Sequence, residues 1–360
     1  MYYECKDKKK IYLTNIKKIL FMKNKQQIKK IHIRNYFCEN LPNLSKFINL
    51  KFLDCSNNKL TKLPNLSNLV NLQSLDCSYN KLTTLTNLSK NKQLKFLYCN
   101  NNNLTNLPDL SKLKNLKTLY CNDNNLSDLP DLTNLIKLKQ LDCEKNNLSY
   151  LPDLSKCINL VNLTCNYNKL IQLPDLTNLI KLEILECQKN NLSKLPDLSK
   201  CINLIDIDCY YNNIDYLDVS NLIKLKKLTC SYNKLIEINN LSHCVNLTNL
   251  YCDINKLIHL HGLENCIKLK ILDFTKNKLS LLPDFSKLKK LKSIYSNENN
   301  ITKIHKNIIF CKKLTYYTKY NKYKYLHQIS KLVNYKIEYF YYIKIINYYC
   351  KIYNLYRFQF

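Results

Sequence analysis

The sequence of 360 residues contains a single glycine, Gly262, and neither tryptophan nor alanine. A phosphate-binding Walker loop needs several glycines, so the sequence has no such loop. It also lacks a run of about 18 uninterrupted apolar residues, and we therefore expect no membrane span. The first residues lack the apolar stretch of a secretory signal peptide. These absences predict a cytoplasmic, non-secreted protein whose cysteines stay reduced.

Arginine is almost missing from a strongly basic chain. Lys and Arg number 56 against 27 acidic residues, a formal net charge of +29, yet the only arginines are Arg34 and Arg357. Such a charge normally suggests nucleic acid or an anionic membrane as partner. Nucleic-acid readers, however, use Arg for bidentate contacts with bases and phosphates. The excess of Lys, Asn, Ile and Tyr, which have AT-rich codons, is better explained by nucleotide composition, and nucleic acid is therefore a weak candidate.

What the sequence does contain is a repeat. The pattern L-x-x-L-x-C-x-x-N-x-L returns every 22 residues, and only the unit that begins at Leu204 is one residue shorter. Its twelve units begin at Leu50, Leu72, Leu94, Leu116, Leu138, Leu160, Leu182, Leu204, Leu225, Leu247, Leu269 and Leu291. The Leu and Cys positions are spaced as in a short strand with one buried face. One unit buries too little apolar surface to offset its conformational entropy, so the units must stack.

The second half of each unit returns the chain to the next strand. All eight prolines occupy one repeat position there. Because proline has no N–H, that position must lie outside the paired strand. Ser or Thr three residues later, as in Ser67, is a candidate cap for a single helical turn. The asparagine of each unit, from Asn58 to Asn299, is expected to satisfy backbone groups of the bend.

These motifs resemble the leucine-rich-repeat family, in the 22-residue style of the internalins. The resemblance rests on L-x-x-L-x-C-x-x-N-x-L followed by L-P-x-L-S/T, and it covers residues 50 to about 312. It implies an α/β-type leucine-rich-repeat solenoid, a curved right-handed coil with a parallel β-sheet on the concave face and short helical or irregular convex segments. It also implies protein binding through the concave face. By composition the chain is similar to repeat proteins of giant DNA viruses with AT-rich genomes, and a viral source would place it in the host-cell cytoplasm.

The ends of the array divide the chain into four predicted segments. They are an N-terminal lead (residues 1–27), a degenerate capping repeat (28–49), twelve 22-residue repeats (50–312) and a Tyr-rich C-terminal cap or tail (313–360). Tyr36 replaces the asparagine in the capping repeat, and Lys319 falls in the cysteine slot beyond the last repeat. Neither helical nor strand periodicity dominates the Tyr-rich segment, so a cap over the last coil and a poorly ordered or partner-binding tail both stay open.

The cysteines are interpreted as buried apolar residues. Ten of the 18 share the inward slot: Cys55, Cys77, Cys99, Cys121, Cys143, Cys165, Cys187, Cys209, Cys230 and Cys252. Side chains of adjacent parallel strands run parallel, which suits disulfides poorly, and no C-x-x-C occurs. His259 and His261 form an H-x-H pair, but His261 occupies the usual proline position. We therefore expect no metal, no cofactor and no enzymatic activity.

The solvent-facing positions around the strands indicate a binding surface. At the third, fifth, seventh and eighth positions of the twelve units, eleven of 48 residues are acidic, eleven are aromatic and only four are Lys. This face is acidic within a basic protein. The candidate partner-binding residues, in the units from Leu182 to Leu247, are Glu186, Asp206, Asp208, Tyr210, Tyr211, Tyr232, Tyr251 and Asp253. An ordinary hydrated sheet surface is the alternative interpretation of the same residues.

The function that these features favour is a non-enzymatic protein–protein interaction scaffold. Its partner would be an unknown protein or peptide with a basic surface, bound at the tyrosines and carboxylates of the concave face. The alternative function is binding of nucleic acid or another anionic surface through the lysine-rich edges. Those lysines lie at the second position of the units and directly after the asparagine, as in Lys51, Lys95, Lys117, Lys59 and Lys81.

Overall fold

In the computed structural model of the protein, residues 24–301 are described in full, together with the backbone of residues 2–4, 10–12 and 315–317. The described strands form one 16-stranded sheet, and each strand is three residues long. They are β1 Tyr2–Glu4, β2 Lys10–Tyr12, β3 Lys30–His32, β4 Phe52–Asp54, β5 Ser74–Asp76, β6 Phe96–Tyr98, β7 Thr118–Tyr120, β8 Gln140–Asp142, β9 Asn162–Thr164, β10 Ile184–Glu186, β11 Asp206–Asp208, β12 Lys227–Thr229, β13 Asn249–Tyr251, β14 Ile271–Asp273, β15 Ser293–Tyr295 and β16 Thr315–Tyr317.

From β3 to β16, the strands follow chain order across the sheet. Each of these strands pairs in parallel with the next, and β1 and β2 extend the sheet antiparallel at the β3 edge. The register repeats the sequence period, as when Leu53 pairs with Leu75. Across the shorter unit Ile207 pairs with Leu228, so the strand register is kept there too. The missing residue falls in the return segment, where Leu217 is followed directly by Asp218 without the usual proline. The predicted parallel solenoid is confirmed.

One apolar core runs along the whole array. In each coil, by which we mean one repeat unit in the structure, the middle strand residue and the residue two positions later point inward; Leu119 and Cys121 are fully buried examples. The same core continues from Ile31 on β3 to Ile294 on β15. Because each coil covers the core of its neighbours, the stack supplies the apolar burial that a single unit lacks.

The return segments contain almost no helix. The helical turns in the described residues are the 3-10 turns Lys25–Gln27, Leu241–His243 and Leu263–Asn265. None of the described helices is long and apolar enough to cross a bilayer. Elsewhere an Asp or Asn accepts the hydrogen bond that organises the turn: Asn65 Oδ1 accepts from the Ser67 N–H at 2.9 Å. Ser67, the predicted cap, is therefore the donor residue in this turn.

One bend position in every coil lies in the left-handed region of backbone space. The asparagines of the repeats, from Asn58 to Asn299, are here called the ladder asparagines. The residue before each of them has a φ between 49° and 55°, a region that favours glycine and asparagine. The residues there are Asn57, Tyr79, Asn101, Asp123, Lys145, Tyr167, Lys189, Tyr211, Tyr232, Ile254, Lys276 and Glu298. No glycine occupies the position in these twelve coils, so the conventional sequence signal of this conformation is missing.

The predicted segment boundaries stay predictions. β3 lies within the predicted capping repeat, and β16 extends the parallel sheet by one strand beyond residue 312. Most of the predicted lead segment and Tyr-rich segment falls outside the described residues.

Candidate interaction surface

Ladder asparagines hold the bend beside the candidate surface. Asn212 donates from Nδ2 to the carbonyl oxygens of Cys187 at 3.0 Å and Cys209 at 3.1 Å. Its Oδ1 accepts from the Leu192 N–H at 3.0 Å. One side chain thereby satisfies backbone groups of two coils, and the predicted structural role of the ladder is confirmed.

The ten cysteines of the inward slot, from Cys55 to Cys252, are here called the ladder cysteines, and they are free thiols beneath the sheet. All ten are fully buried, and their side chains point the same way from successive strands. Several donate to the carbonyl of the following coil, as Cys165 Sγ does to Glu186 O at 3.4 Å. Burial raises the pKa of Cys187 well above the usual range of a thiol. The ladder therefore packs as small apolar side chains, as predicted.

The eight predicted binding residues lie on three strands and the bends that follow them. Glu186 ends β10, Asp206 and Asp208 begin and end β11, Tyr251 ends β13, and Tyr210, Tyr211, Tyr232 and Asp253 lie on the bends. The structure brings three tyrosines together. Tyr210 meets Tyr232 edge-on at 5.1 Å between ring centroids, and Tyr211 lies 5.9 Å from Tyr232. Tyr211 and Tyr232 are exposed and Tyr210 is partly buried, so the cluster presents aromatic area to solvent.

Three of the eight residues are buried more deeply than their positions suggest. Asp208, Tyr251 and Asp253 each expose less than a tenth of their surface. Asp208 Oδ1 accepts from the Tyr210 N–H at 3.0 Å, and Asp253 accepts from the Ser231 hydroxyl. These carboxylates are therefore hydrogen-bonded within the sheet face and are mostly shielded from solvent.

Asp206 and its neighbours contain unpaired polar atoms. Asp206 Oδ2 lies 3.5 Å from Lys227 Nζ of the next coil, while burial raises the carboxyl pKa of Asp206 against the opposing effect of Lys227. Asp206 Oδ1, Gln188 Oε1 and Thr229 Oγ1 are buried and make no hydrogen bond within the described part of the chain. They are three of seven such atoms there. Buried polar atoms normally have a hydrogen-bond partner, so these three atoms are exceptions within the described residues.

The acidic character continues beyond the predicted residues. Glu186 Oε2 accepts from Asn166 Nδ2 at 3.2 Å, and the same amide donates to Glu144 at 3.2 Å. In the coil of Glu144, burial raises the pKa of Asp142 to about 7, and the charges of Glu144 and Glu186 contribute in the same direction. The sheet face therefore carries several incompletely compensated carboxyl groups side by side.

The histidine pair lies away from this surface. The rings of His259 and His261 are 3.7 Å apart, and His259 Nε2 lies 3.8 Å from Glu237 Oε2. Within residues 24–301 and the three additional strands, no group of three or more His, Cys, Asp or Glu side chains is placed to hold a metal ion.

Comparison with known proteins identifies the fold of the chain. The family model described as Leucine Rich repeats (2 copies) matches residues 48–90 and 92–134. The chain has the leucine-rich-repeat fold. A leucine-rich-repeat protein of Leptospira interrogans superposes with a TM-score of 0.66 at 25% identity, over 91% of this chain and 99% of that one. No curated protein sequence matches the chain.

Internalin-like structures are among the similar folds. The functional domain of InlJ from Listeria monocytogenes, described as including a cysteine ladder, superposes with a TM-score of 0.62 at 27% identity, over 82% of this chain and 70% of that one. The internalin InlF from the same species gives a TM-score of 0.67 at 24% identity, over 83% and 88%. The expected likeness to internalins is confirmed for the fold, whereas the compositional likeness to viral repeat proteins stays a prediction.

Proposed function

We propose that the chain is a non-enzymatic scaffold that binds a protein or peptide through the sheet face. The binding surface would consist of Tyr210, Tyr211, Tyr232, Glu186 and Asp206, which we call the tyrosine–acid surface. The observation that carries the proposal is the exposed tyrosine cluster on a sheet face that also holds the partly exposed carboxylates of Asp206 and Glu186. Leucine-rich-repeat proteins typically mediate protein–protein interaction, which supports the same class of function.

The chemistry of the surface favours a basic partner. The carboxylates of Asp206 and Glu186 are partly exposed, and Lys or Arg side chains of a partner would pair with them. The faces of Tyr211 and Tyr232 would receive the same cations. Asp208 and Asp253 would add negative potential from below without direct contact. We propose that this interaction takes place in the cytoplasm, the compartment that the sequence favours.

A random-peptide library tests the proposal even though the partner is unidentified. Peptides are selected on the immobilised full-length chain and counted by sequencing, and the enriched peptides are expected to be rich in Lys and Arg. They should bind poorly to the Tyr211→Ala/Tyr232→Ala double variant. Enriched peptides that bind this variant as well as the wild type, but lose binding when Lys51, Lys95 and Lys117 are replaced by Gln, would favour the lysine-rich edges instead.

A further inference from the structure

A second surface lies at the edge where the chain enters the strands. The residue two positions before the first Leu of each coil is an exposed aliphatic in seven consecutive coils. These residues, here called the isoleucine edge, are Ile136, Ile158, Ile180, Ile202, Ile223, Val245 and Ile267, each exposing 40–52% of its surface. At the spacing of paired strands, about 4.8 Å, the row is roughly 30 Å long.

The fold does not require aliphatic residues at this position. In three other coils the same position holds Lys92, Lys114 and Lys289, and the strands of those coils form in the same register. Exposed aliphatic residues on soluble proteins are normally scattered, and a contiguous row indicates an interaction surface. The uninterrupted row from Ile136 to Ile267 therefore calls for an explanation outside the core.

Lysines flank the row on the strand side. The residue after each aliphatic alternates between Asn and Lys, and each Lys ammonium donates to the Asn of the preceding coil. The four Nζ–Oδ1 distances are 2.8 Å for Lys137–Asn115 and 2.6 Å for Lys181–Asn159, Lys224–Asn203 and Lys268–Asn246. Lysines in this line are two coils apart, about 10 Å, which limits their mutual repulsion.

On the other side of the row, lysines occur in two of the coils that have Asn instead of Lys on the strand side. Lys156 and Lys200 lie two residues before Ile158 and Ile202, in coils where the strand-side residue is Asn. The segments D-L-T-N-L-I-K-L and D-L-S-K-C-I-N-L thus alternate from coil to coil. Between residues 134 and 268 the flanking positions hold Lys, Asn or His243 and no acidic residue. The result is an apolar line flanked by four lysines on the strand side and by Lys156 and Lys200 on the other side.

We propose that the isoleucine edge binds the surface of an anionic lipid membrane. Aliphatic side chains of the row would enter the boundary between headgroups and acyl chains, while the lysines contact anionic headgroups. Long Lys stems suit this arrangement because they lie along apolar surface with the ammonium in water. The even exposure of the row fits a flat, deformable phase, whereas a partner helix needs grooves between side chains.

Vesicle co-sedimentation of the full-length chain tests the proposal. The protein should sediment with vesicles of phosphatidylcholine and phosphatidylserine and much less with phosphatidylcholine alone. The triple variant Ile158→Asn, Ile180→Asn, Ile202→Asn should bind the anionic vesicles about tenfold more weakly. Replacement of Lys137, Lys181 and Lys224 by Gln should also weaken binding and reduce its salt dependence.

The chain offers a matched control. Ile171, Ile236 and Ile258 expose 47%, 52% and 48% of their surface at another repeat position, and their triple Asn variant should bind vesicles like the wild type. The isoleucine-edge variant should keep its affinity for peptides selected on the tyrosine–acid surface, which separates this proposal from the proposed function. Thermal unfolding midpoints of the variants establish that each is folded.

Three results would overturn the proposal. In the first, the wild-type chain has no preference for phosphatidylserine vesicles. In the second, the control triple variant loses as much vesicle binding as the isoleucine-edge variant. In the third, vesicle binding depends on the three lysines but not on the isoleucines, and duplex DNA competes for it; the edge would then be a polyanion site.

Discussion

Asn124 donates a hydrogen bond from its side-chain amide to the carbonyl oxygen of Cys99, 3.0 Å away in the preceding coil. The same amide donates to Cys121 O at 3.0 Å, and Asn124 Oδ1 accepts from the Leu104 N–H at 2.9 Å. Cys99 O and Cys121 O also accept from Asn102 and Asn146, so the loss of the Asn124 side chain would remove one of two side-chain donors from each carbonyl and the acceptor of the buried Leu104 N–H. The ladder thus joins neighbouring coils by hydrogen bonds as well as by apolar packing.

Replacement of Asn124 by Ala should lower the free energy of unfolding by about 2 kcal/mol, because the buried Leu104 N–H loses its acceptor and two buried carbonyls each lose one donor. The adjacent Asn125 is exposed, and Asn125→Ala serves as the matched control with an expected change under about 0.5 kcal/mol. Urea unfolding midpoints compare the two variants. Equal midpoints would contradict a structural role for the ladder.

The buried thiols should resist alkylation in the native protein. Burial raises the pKa of Cys121 and Cys143 well above the usual thiol range, so the reactive thiolate is scarce and shielded. Cys38 is partly exposed and provides an internal comparison. After a short iodoacetamide pulse, peptide mass spectrometry should find Cys38 modified, and Cys121 and Cys143 modified only in denaturant. Equal native labelling of Cys121 and Cys38 would rule out the buried ladder.

Ile254 holds the left-handed bend position with a φ of 52°, which is costly for a β-branched residue. Ile254→Asn should therefore raise the free energy of unfolding by roughly 1 kcal/mol, since Asn adopts this conformation more readily. In the same coil, Ile258 is exposed without a positive φ, and Ile258→Asn should give no such gain. Thermal unfolding measures both variants; a similar gain from both would mean that backbone strain is not the cause.

Asp142 should make stability depend on pH. Its pKa is raised from 3.8 to about 7, first by burial, so the folded state holds this proton more tightly than the unfolded state. The resulting stabilisation is complete below about pH 4 and is lost as the pH rises through 7. Asp142→Asn should match the wild type at pH 4 and be more stable by about 1 to 2 kcal/mol at pH 8, after a discount for solvent screening.

Asp109 provides the control for this pH dependence. Hydrogen bonds from Ser111 lower the carboxyl pKa of exposed Asp109, so Asp109→Asn should bring no gain in stability between pH 4 and pH 8. Unfolding midpoints measured across this range compare the two Asn variants. A constant difference between Asp142→Asn and the wild type at all pH values would show that Asp142 does not titrate near 7.

The repeating parts of the fold could be predicted because the same residue types recur at the same position of each repeat. The position of Asn124 holds Asn in all twelve coils, and the positions of Leu119 and Cys121 hold Leu and Cys in ten of them, so their common burial follows from the period alone. A repeat pattern does not reveal the burial of a side chain that depends on its particular neighbours in one coil. Asp208 and Asp253 occupy positions that are nominally exposed, but hydrogen bonds with the Tyr210 N–H and the Ser231 hydroxyl hold them in the sheet face.

Two further features escaped prediction for different physical reasons. The left-handed bend is filled by Asn, Tyr, Asp, Lys, Ile and Glu, so no residue type marks it, and only the backbone reveals it. The isoleucine edge itself recurs in each of its seven coils, but the Lys and Asn residues that flank it alternate with a period of two coils, as Lys137 and Asn159 do. A search for a 22-residue repeat does not detect that longer alternation.

The most direct test of the proposed interaction is the affinity of a library-selected basic peptide for two tyrosine variants. Tyr211 and Tyr79 share the same repeat position and expose 54% and 53% of their surface, but only Tyr211 lies in the tyrosine cluster. Calorimetric titration should find that Tyr211→Ala weakens binding by at least about 1 kcal/mol, while Tyr79→Ala leaves it unchanged and both keep the wild-type unfolding midpoint. Equal affinities of the wild type and Tyr211→Ala would contradict binding at the tyrosine–acid surface.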